Sequence, residues 1–498
     1  MKRSFLLIWL GLLFLSSDVS AHFPAPPAML YVYDIHNLPA DIKPLYIYGD
    51  SVLSFGTELT ADGSPGRLLP FAFFGGNYYM MKIRDKRVLD FFKSPIRYFV
   101  MGDALIFKSL PQNVKRLTKY GWGLTRLLPT QNIEPQPPEI ELPIIAVADS
   151  DIVRVISVIT PESSRRLISD LSGIPTRYSF TEGCRQAEQY TFDKFDSLGL
   201  TTTFFNFQYS GTDMRDVIGQ LDGLAHPDSI IIVCAHLDCT SEMPYQLAPG
   251  AEENATGTAV VLEAARALCG QQLDLSIRFI AFSGDEQGLI GSDRYATYVQ
   301  AQGDNIVAVI DVDMTGYSGL YAEDMHIFSD PNSYSLGALG ARILEDYTTL
   351  DTVSHYESSP RYGSDHYPFA IRGYRSIFFI DAWEGFDWYP YYHTIADTLG
   401  NLNLGQQAAI SQGVAAMAAT LARMHYVAGY LPGDANGSGE VNGLDVVYLV
   451  NYLKGMGPAP DPLLSGDTNG DCATNGLDVV YLVNYLKGGP APLGGDCR

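Results

Sequence analysis

Apolar residues in the middle of the chain follow two alternating rhythms. The runs SIIIVCAHLD (229–238), IRFIAFSGDE (277–286), NIVAVIDVDM (305–314) and SIFFIDAW (376–383) are short, continuous, and each runs into acidic residues. Such runs predict strands covered on both faces. Between them, ESSRRLISDLS (162–172), CRQAEQYTFDKFDSLG (184–199) and TAVVLEAARALC (258–269) place apolar residues at helical spacing. The expected fold is α/β over about 150–428, a largely parallel central sheet flanked by helices, closing with an Ala-rich helix from about Leu404 to Tyr426.

The flanks have other rhythms. LYIYGDSVLSFGTEL, FAFFGGNYYMMKI and YFVMGDALIFKSL alternate between turn residues, so 22–128 is expected to be β-rich, a propeptide or accessory domain. Pro129, Pro135, Pro137, Pro138 and Pro143 mark 129–149 as an extended linker. At the other end, NGLDVVYLVNYLKG occurs at 442–455 and again at 475–488, each copy after an acidic, Asn- and Gly-rich segment. The repeating unit is therefore a loop plus a helix. At the start, Lys2 and Arg3 precede the apolar run Phe5 to Leu15, and Val19-Ser20-Ala21 has the pattern of a signal peptidase site. Residues 1–21 are expected to be a signal peptide, with an uncleaved anchor as the alternative. No other run is a candidate membrane span.

Composition narrows the partners. Of 498 residues, 46% are hydrophobic and 18% charged, which excludes disorder as the main state. Lys plus Arg number 33 against 56 Asp plus Glu, a net charge of -23, which disfavours nucleic acid and anionic membranes and favours divalent cations. Export permits disulfides, but six cysteines in this length are too sparse for a disulfide scaffold. Cys472 with Cys497 is the expected pair, and a Cys239–Cys184 bridge is the reading set against Cys239 as a metal ligand.

The acidic and imidazole groups at the strand ends are His236 and Asp238, Asp285 and Glu286, and Asp313, joined by Glu252 and Glu253 in APGAEENATG and His393 in YYHTIADT. Carboxylates stacked at strand ends repel unless a cation neutralises them, and imidazole with carboxylate suits zinc. Singly, His236 would more often be a packed histidine and Asp311 a solvated turn residue. His366 reads as structural.

The ordered set HLDCTS, APGAEENATG, GDEQGLIGS, DVDMTGY, SDH and YYHTIADT, over about 150–428, resembles the secreted two-zinc aminopeptidase family, which includes glutaminyl cyclases and glutamate carboxypeptidases. The resemblance implies a zinc exopeptidase fold with two zinc ions. His236 would hold one, His393 the other, Glu253 would bridge them, and Glu286 and Asp313 would each complete one ion. Asp285 would be the general base, Tyr362 the oxyanion donor, and Asp238 and Asp397 the carboxylates that fix the tautomers of the two imidazoles. The family keeps Asp at the bridge and Glu at the base; Glu253 and Asp285 exchange those lengths.

The tail loops DANGSGEVNGLD and DTNGDCATNGLD have the spacing of twelve-residue calcium loops. Positions one, three, five, seven, nine and twelve are Asp434, Asn436, Ser438, Glu440, Asn442 and Asp445, then Asp467, Asn469, Asp471, Ala473, Asn475 and Asp478; position seven offers its carbonyl. Hard oxygen donors at this spacing favour two calcium ions. Loop-helix pairs with Asp at position twelve resemble the dockerin module of secreted bacterial enzymes, over 432–498. That resemblance implies a cohesin-type scaffold or surface partner, a calcium-stabilised cap being the alternative. The expectation is a secreted or surface-attached zinc aminopeptidase acting on peptides. The alternatives are a glutaminyl cyclase or carboxypeptidase of the same family, or a slow or inactive relative serving as a scaffold-attached binding protein.

Overall fold

The computed structural model describes residues 29–34, 46–48, 51–56, 67–68, 77–82, 98–101, 104–109, 125–127, 142–143, 148–319, 325–350, 352–357, 363–381, 389–425, 433–438, 440–460, 463–471 and 473–492. The expected signal peptide, most of the linker, Tyr362, Cys472 and Cys497 lie outside them. Two compact units divide the chain, Met1–Ala72 and Phe73–Arg498. In the first, β1 (Met29–Asp34), β2 (Tyr46–Tyr48), β3 (Ser51–Gly56) and β4 (Arg67–Leu68) pair antiparallel in the order β2-β3-β1-β4.

The second unit opens with another antiparallel sheet, ordered β6-β7-β5-β8. Its strands are β5 (Asn77–Lys82), β6 (Tyr98–Met101), β7 (Ala104–Ser109) and β8 (Thr125–Leu127). The main sheet follows: β9 (Thr201–Tyr209), β10 (Thr212–Leu221), β11 (His226–His236), β12 (Leu275–Phe282), β13 (Asn305–Val312), β14 (Met325–Ser329), β15 (Val353–Glu357) and β16 (Ser376–Ile380). Their order is β15-β14-β16-β13-β11-β12-β10-β9. The centre, β12-β11-β13-β16, is parallel throughout. The flanks are mixed, because β9 and β10 form a hairpin and β14 runs antiparallel to β16. The hairpin turns at Ser210 and Gly211, both at positive φ, the backbone that a tight two-residue hairpin requires.

Alternate residues of β11 enter different cores. Ile231, Val233 and Ala235 pack on one face, Ile230, Ile232 and Cys234 on the other. This two-sided burial is why the run carries no polar alternation. Helices α1 (Ser150–Ile156), α2 (Pro161–Ser172), α3 (Glu182–Ser197), α4 (Gly257–Leu268), α6 (Tyr334–Tyr347) and α8 (Leu404–Leu421) bury residues in the first core. Helix α5 (Ile290–Gln302) and the short α7 (His366–Ala370) contribute to the second. Among the described residues, no helix is long and apolar enough to cross a membrane.

In the tail, α9 (Gly443–Leu453) and α10 (Gly476–Leu486) are copies with the same start. Asn442 and Asn475 cap them, and Asp445 and Asp478 return bonds to the cap amides, so position twelve of each loop is also the third helical residue of a capping box. Ala435, Leu449 and Leu482 form their small buried core.

Candidate metal centre

The central parallel strands end level with one another. His236 of β11 is in register with Phe282 of β12, and Cys234 with Asp311 of β13, so the residues just beyond converge where open α/β sheets build their sites. His236, Glu253 and Asp313 bring one ligand atom each into a single cluster; Glu253, Glu286 and His393 form a second; Glu253 belongs to both. His236 Nε2 lies 3.2 Å from Glu253 Oε1 and 3.4 Å from Asp313 Oδ1. His393 Nε2 lies 3.1 Å from Glu286 Oε2 and 4.0 Å from Glu253 Oε1. Asp285 Oδ2 stands 3.9 Å from His236 Nε2.

The electrostatics suit a cation. Burial opposes a charge on His236, yet Asp285 and Asp313 outweigh it and push the imidazole well above its ordinary range. Burial, then the neighbouring Asp313, raises Glu253; burial is also the largest cause for Asp285. His236 Nε2, Glu253 Oε2 and Asp313 Oδ1 are buried and make no hydrogen bond. Desolvated acceptors facing one another are costly unless an ion sits between them, so imidazole and carboxylate donors in two clusters sharing one residue fit a pair of zinc ions.

Each donor has its own support. The His236 ring points Nδ1 at the backbone carbonyl of Asp238, 2.9 Å away. A carbonyl only accepts, so Nδ1 carries a proton and Nε2 is the ring atom turned to the cluster, where an ion would take its lone pair. The Asp238 carboxylate, expected behind that ring, is 3.9 Å from it and instead accepts from the amides of Gly284 and Asp285, and from Ser179. Those bonds anchor the single turn Asp285–Gln287, which lies between Gly284 and Gly288, both at positive φ. Asp397 likewise has other work than the expected contact with His393. Its carboxylate accepts from the amides of Glu252 and Glu253 and from the Tyr389 hydroxyl, clamping the irregular turn Ala251–Thr256. Glu252 points away from the cluster, accepting from the Gly316 amide, and burial followed by the Asp397 charge pushes it up to about 8.

Arg177 escaped the motif reading. Fully buried, it donates to the carbonyls of Leu237, Leu171, Pro249 and Gly250, and so ties the His236 loop to the approach of the Glu253 turn. No local pattern marks it, since its partners are backbone groups up to 73 positions away. Asp311 is buried rather than solvated, and holds His366 through the amide and Nδ1. The Cys239–Cys184 bridge is not formed: both thiols are free and buried, Cys239 donating to the Ala248 carbonyl and Cys184 lying against Glu188 and Ser283. Neither thiol belongs to the metal clusters.

In the tail, Asp467, Asp471 and Asp478 bring oxygens together into a third, acidic cluster consistent with calcium. The first loop has Ser438 where the second has Asp471, so at positions one, three, five and twelve it has two carboxylates, Asp434 and Asp445, against three in the second. Asp445 accepts from the amides of Asn436 and Asn442, and Asp478 from those of Thr468, Asn469 and Asn475.

Comparison with known proteins agrees with this geometry. Peptidase family M28 matches residues 216–418 and the dockerin type I domain matches 432–487. A probable leucine aminopeptidase of Arthroderma otae is 29% identical over 257 residues, covering 48% of this chain and 68% of that protein. Aminopeptidase YwaD of Bacillus subtilis is 32% identical over 201 residues, 39% of this chain but only 42% of that protein. The LapA aminopeptidase structure from Legionella pneumophila superposes with a TM-score of 0.53 at 20% identity, covering 70% of this chain and 98% of LapA, a likeness of fold. The chain therefore carries a zinc exopeptidase domain of peptidase family M28, followed by a C-terminal dockerin domain.

Proposed function

We propose that the chain is an exported two-zinc aminopeptidase that removes N-terminal residues from peptides and is tethered through its tail. The observation that carries this reading is Glu253, shared by two clusters that each add an imidazole and a second carboxylate. His236 and Asp313 would hold one ion with Glu253, and His393 and Glu286 the other. When bound, the ions would acidify a water and polarise the scissile carbonyl. Asp285 would take the proton of the attacking water and pass it to the leaving amine nitrogen, and the burial that raises its proton affinity suits it to hold that proton. The longer Glu253 and shorter Asp285 exchange one methylene, and Glu253 Oε1 still approaches both imidazoles. Tyr362 stays the oxyanion donor that the family resemblance suggests.

Two calcium ions in the loops starting at Asp434 and Asp467 would order the tail. Leu444 and Val447, repeated as Leu477 and Val480, stay exposed on its twin helices, which supports an apolar face for a cohesin-type partner. Domain limits of 150–428 and 432–498, and a signal peptide over 1–21, complete the reading.

Hydrolysis of an aminoacyl-anilide, abolished by a chelator and restored by zinc, tests it. Cleavage of peptides with a free but not a blocked N-terminus is the expected result. Ammonia release without cleavage would mean a glutaminyl cyclase, cleavage of blocked peptides from the other end a carboxypeptidase, and no turnover with two zinc ions bound a scaffold-attached binding protein.

A further inference from the structure

The sheet of β5 to β8 touches the metal centre through one turn. Its edge strand β8 pairs with β5, setting Arg126 opposite Tyr79. Arg126 is buried and bonds Asp293 in the first turn of α5. Arg372 holds the other oxygen of Asp293 at 2.6 Å and donates to Thr297. At Gly288 the approach is closer still. A Cβ there would lie 2.4 Å from Arg126 Cβ and 2.7 Å from Arg126 N, and the residue has φ +102. Only glycine allows that fit. A second tie joins the Tyr79 and Tyr209 hydroxyls, 2.8 Å apart and buried.

Gly288 directly follows the turn that carries Asp285 and Glu286, and Asp293 lies in the first turn of the helix after it. From inside, the Asp238 carboxylate holds the Gly284 and Asp285 amides; within the turn, Gly288 and Leu289 donate to the Asp285 carbonyl. From outside, the closing surface is β8. We propose that the sheet of residues 77–127 is a permanent part of the catalytic unit, and that Arg126 is a positioning residue which, through Asp293 and the Gly288 contact, sets the Asp285–Glu286 turn against the metal clusters. A removable pro-segment would leave Asp293 half-paired and the Gly288 turn uncovered. Because Arg372 still neutralises Asp293, an Arg126 variant keeps a paired buried carboxylate and is expected to fold.

The proposal rests on the peptidase reading, and the test keeps the two apart. Arg126→Ala and Arg126→Lys are compared with wild type, all zinc-loaded, by hydrogen exchange of amides 284–290, by zinc release to a chelator, and by kcat and KM on an aminoacyl-anilide. In Arg126→Ala, exchange over 284–290 should rise about tenfold or more while α8 keeps its protection, and zinc should leave faster. The kcat should fall about 10- to 100-fold, the scale expected when catalytic groups shift by an ångström or less, with KM within about threefold. Arg126→Lys should recover part of each loss by keeping the charge near Asp293. Wild-type exchange, zinc release and kcat in Arg126→Ala would overturn the proposal, as would a lowered Tm without any of these changes. If wild type itself does not turn over, the peptidase reading fails and the exchange and zinc-release arms still decide. If Arg126→Ala does not fold, the wild-type chain with a specific protease site placed within 129–141 is cut instead. The two fragments should co-elute with activity retained, whereas a separated, fully active C-terminal fragment would refute the role.

Discussion

Asp313 stands just beyond the end of a strand in a sheet buried on both faces, with Glu253 on the turn before α4, whereas Asp467 and Asp471 stand on a loop and Asp478 in the first turn of the eleven-residue helix that follows, whose core is Ala435, Leu449 and Leu482. Both regions gather carboxylates, but they satisfy them differently. At the catalytic cluster, Glu253 Oε2 and Asp313 Oδ1 are left without hydrogen bonds by a scaffold large enough to bear the cost. In the tail, Asp445 and Asp478 give their oxygens to backbone amides of their own loops. A large fold can store a preformed, strained ligand set; a module this small has to be shaped by its ligand.

The sharpest break of that comparison comes from removing a donor from the preformed site. Replacing His236 or His393 by Ala should lower the zinc stoichiometry and reduce turnover by more than the roughly 10,000-fold upper worth of a general base, with the sheet intact by circular dichroism. Asp285→Asn should instead keep both ions and cost about 100- to 10,000-fold in kcat. Near-native turnover of the Asn variant would remove Asp285 from the shuttle role.

A metal-free preparation probes the stored repulsion directly. Glu253 and Asp285 have folded-state pKa values raised well above those of free carboxylates. The folded state therefore binds more protons than the unfolded one, and the stability this gives is present below the unfolded pKa of about 4 and lost as pH rises through the folded values. Zinc takes over the neutralisation, so the gap in Tm between zinc-loaded and stripped protein should widen from pH 5 to pH 8. A constant gap would mean that the carboxylates are already relieved without the ion.

The smallest effect on catalysis is expected from the tail. Withdrawing calcium should expose 432–498 to limited proteolysis and leave peptidase activity within about twofold, since every proposed zinc ligand lies before residue 394. The Asp434→Ala, Asp467→Ala double variant should be cut equally with and without calcium. Equal cleavage of the wild-type tail in both conditions would show that the loops are shaped by their own hydrogen bonds alone.

The chain announced some of this and concealed the rest. The continuous runs at 229–236, 277–282 and 305–312 showed strands because burial on both faces suppresses alternation. The hairpin of β9 and β10 was missed: FFNFQYSGTDMRDV mixes polar and apolar residues, and its Ser-Gly turn is a weaker signal than Asn-Gly. The repeat at 442 and 475 exposed the loop-helix unit, since caps and loop donors are local in sequence.

By itself, then, the sequence determined the donor types, their places at strand ends and the two loop-helix copies, because period, capping and loop spacing act over a few residues. The family resemblance named Glu253 over its neighbour Glu252, and only the tertiary structure gave the physical reason: Glu253 joins both clusters while Glu252 accepts from the Gly316 amide. That structure alone gave Asp397 the clamp on that turn from 145 residues away, made the Asp238 carbonyl and not its carboxylate the partner of the His236 ring, and set Arg177 and Arg126 beside loops they do not adjoin in sequence. Those choices depend on where distant strands and turns come to rest, and desolvation together with hydrogen-bond satisfaction, neither readable from a neighbouring residue, settles them.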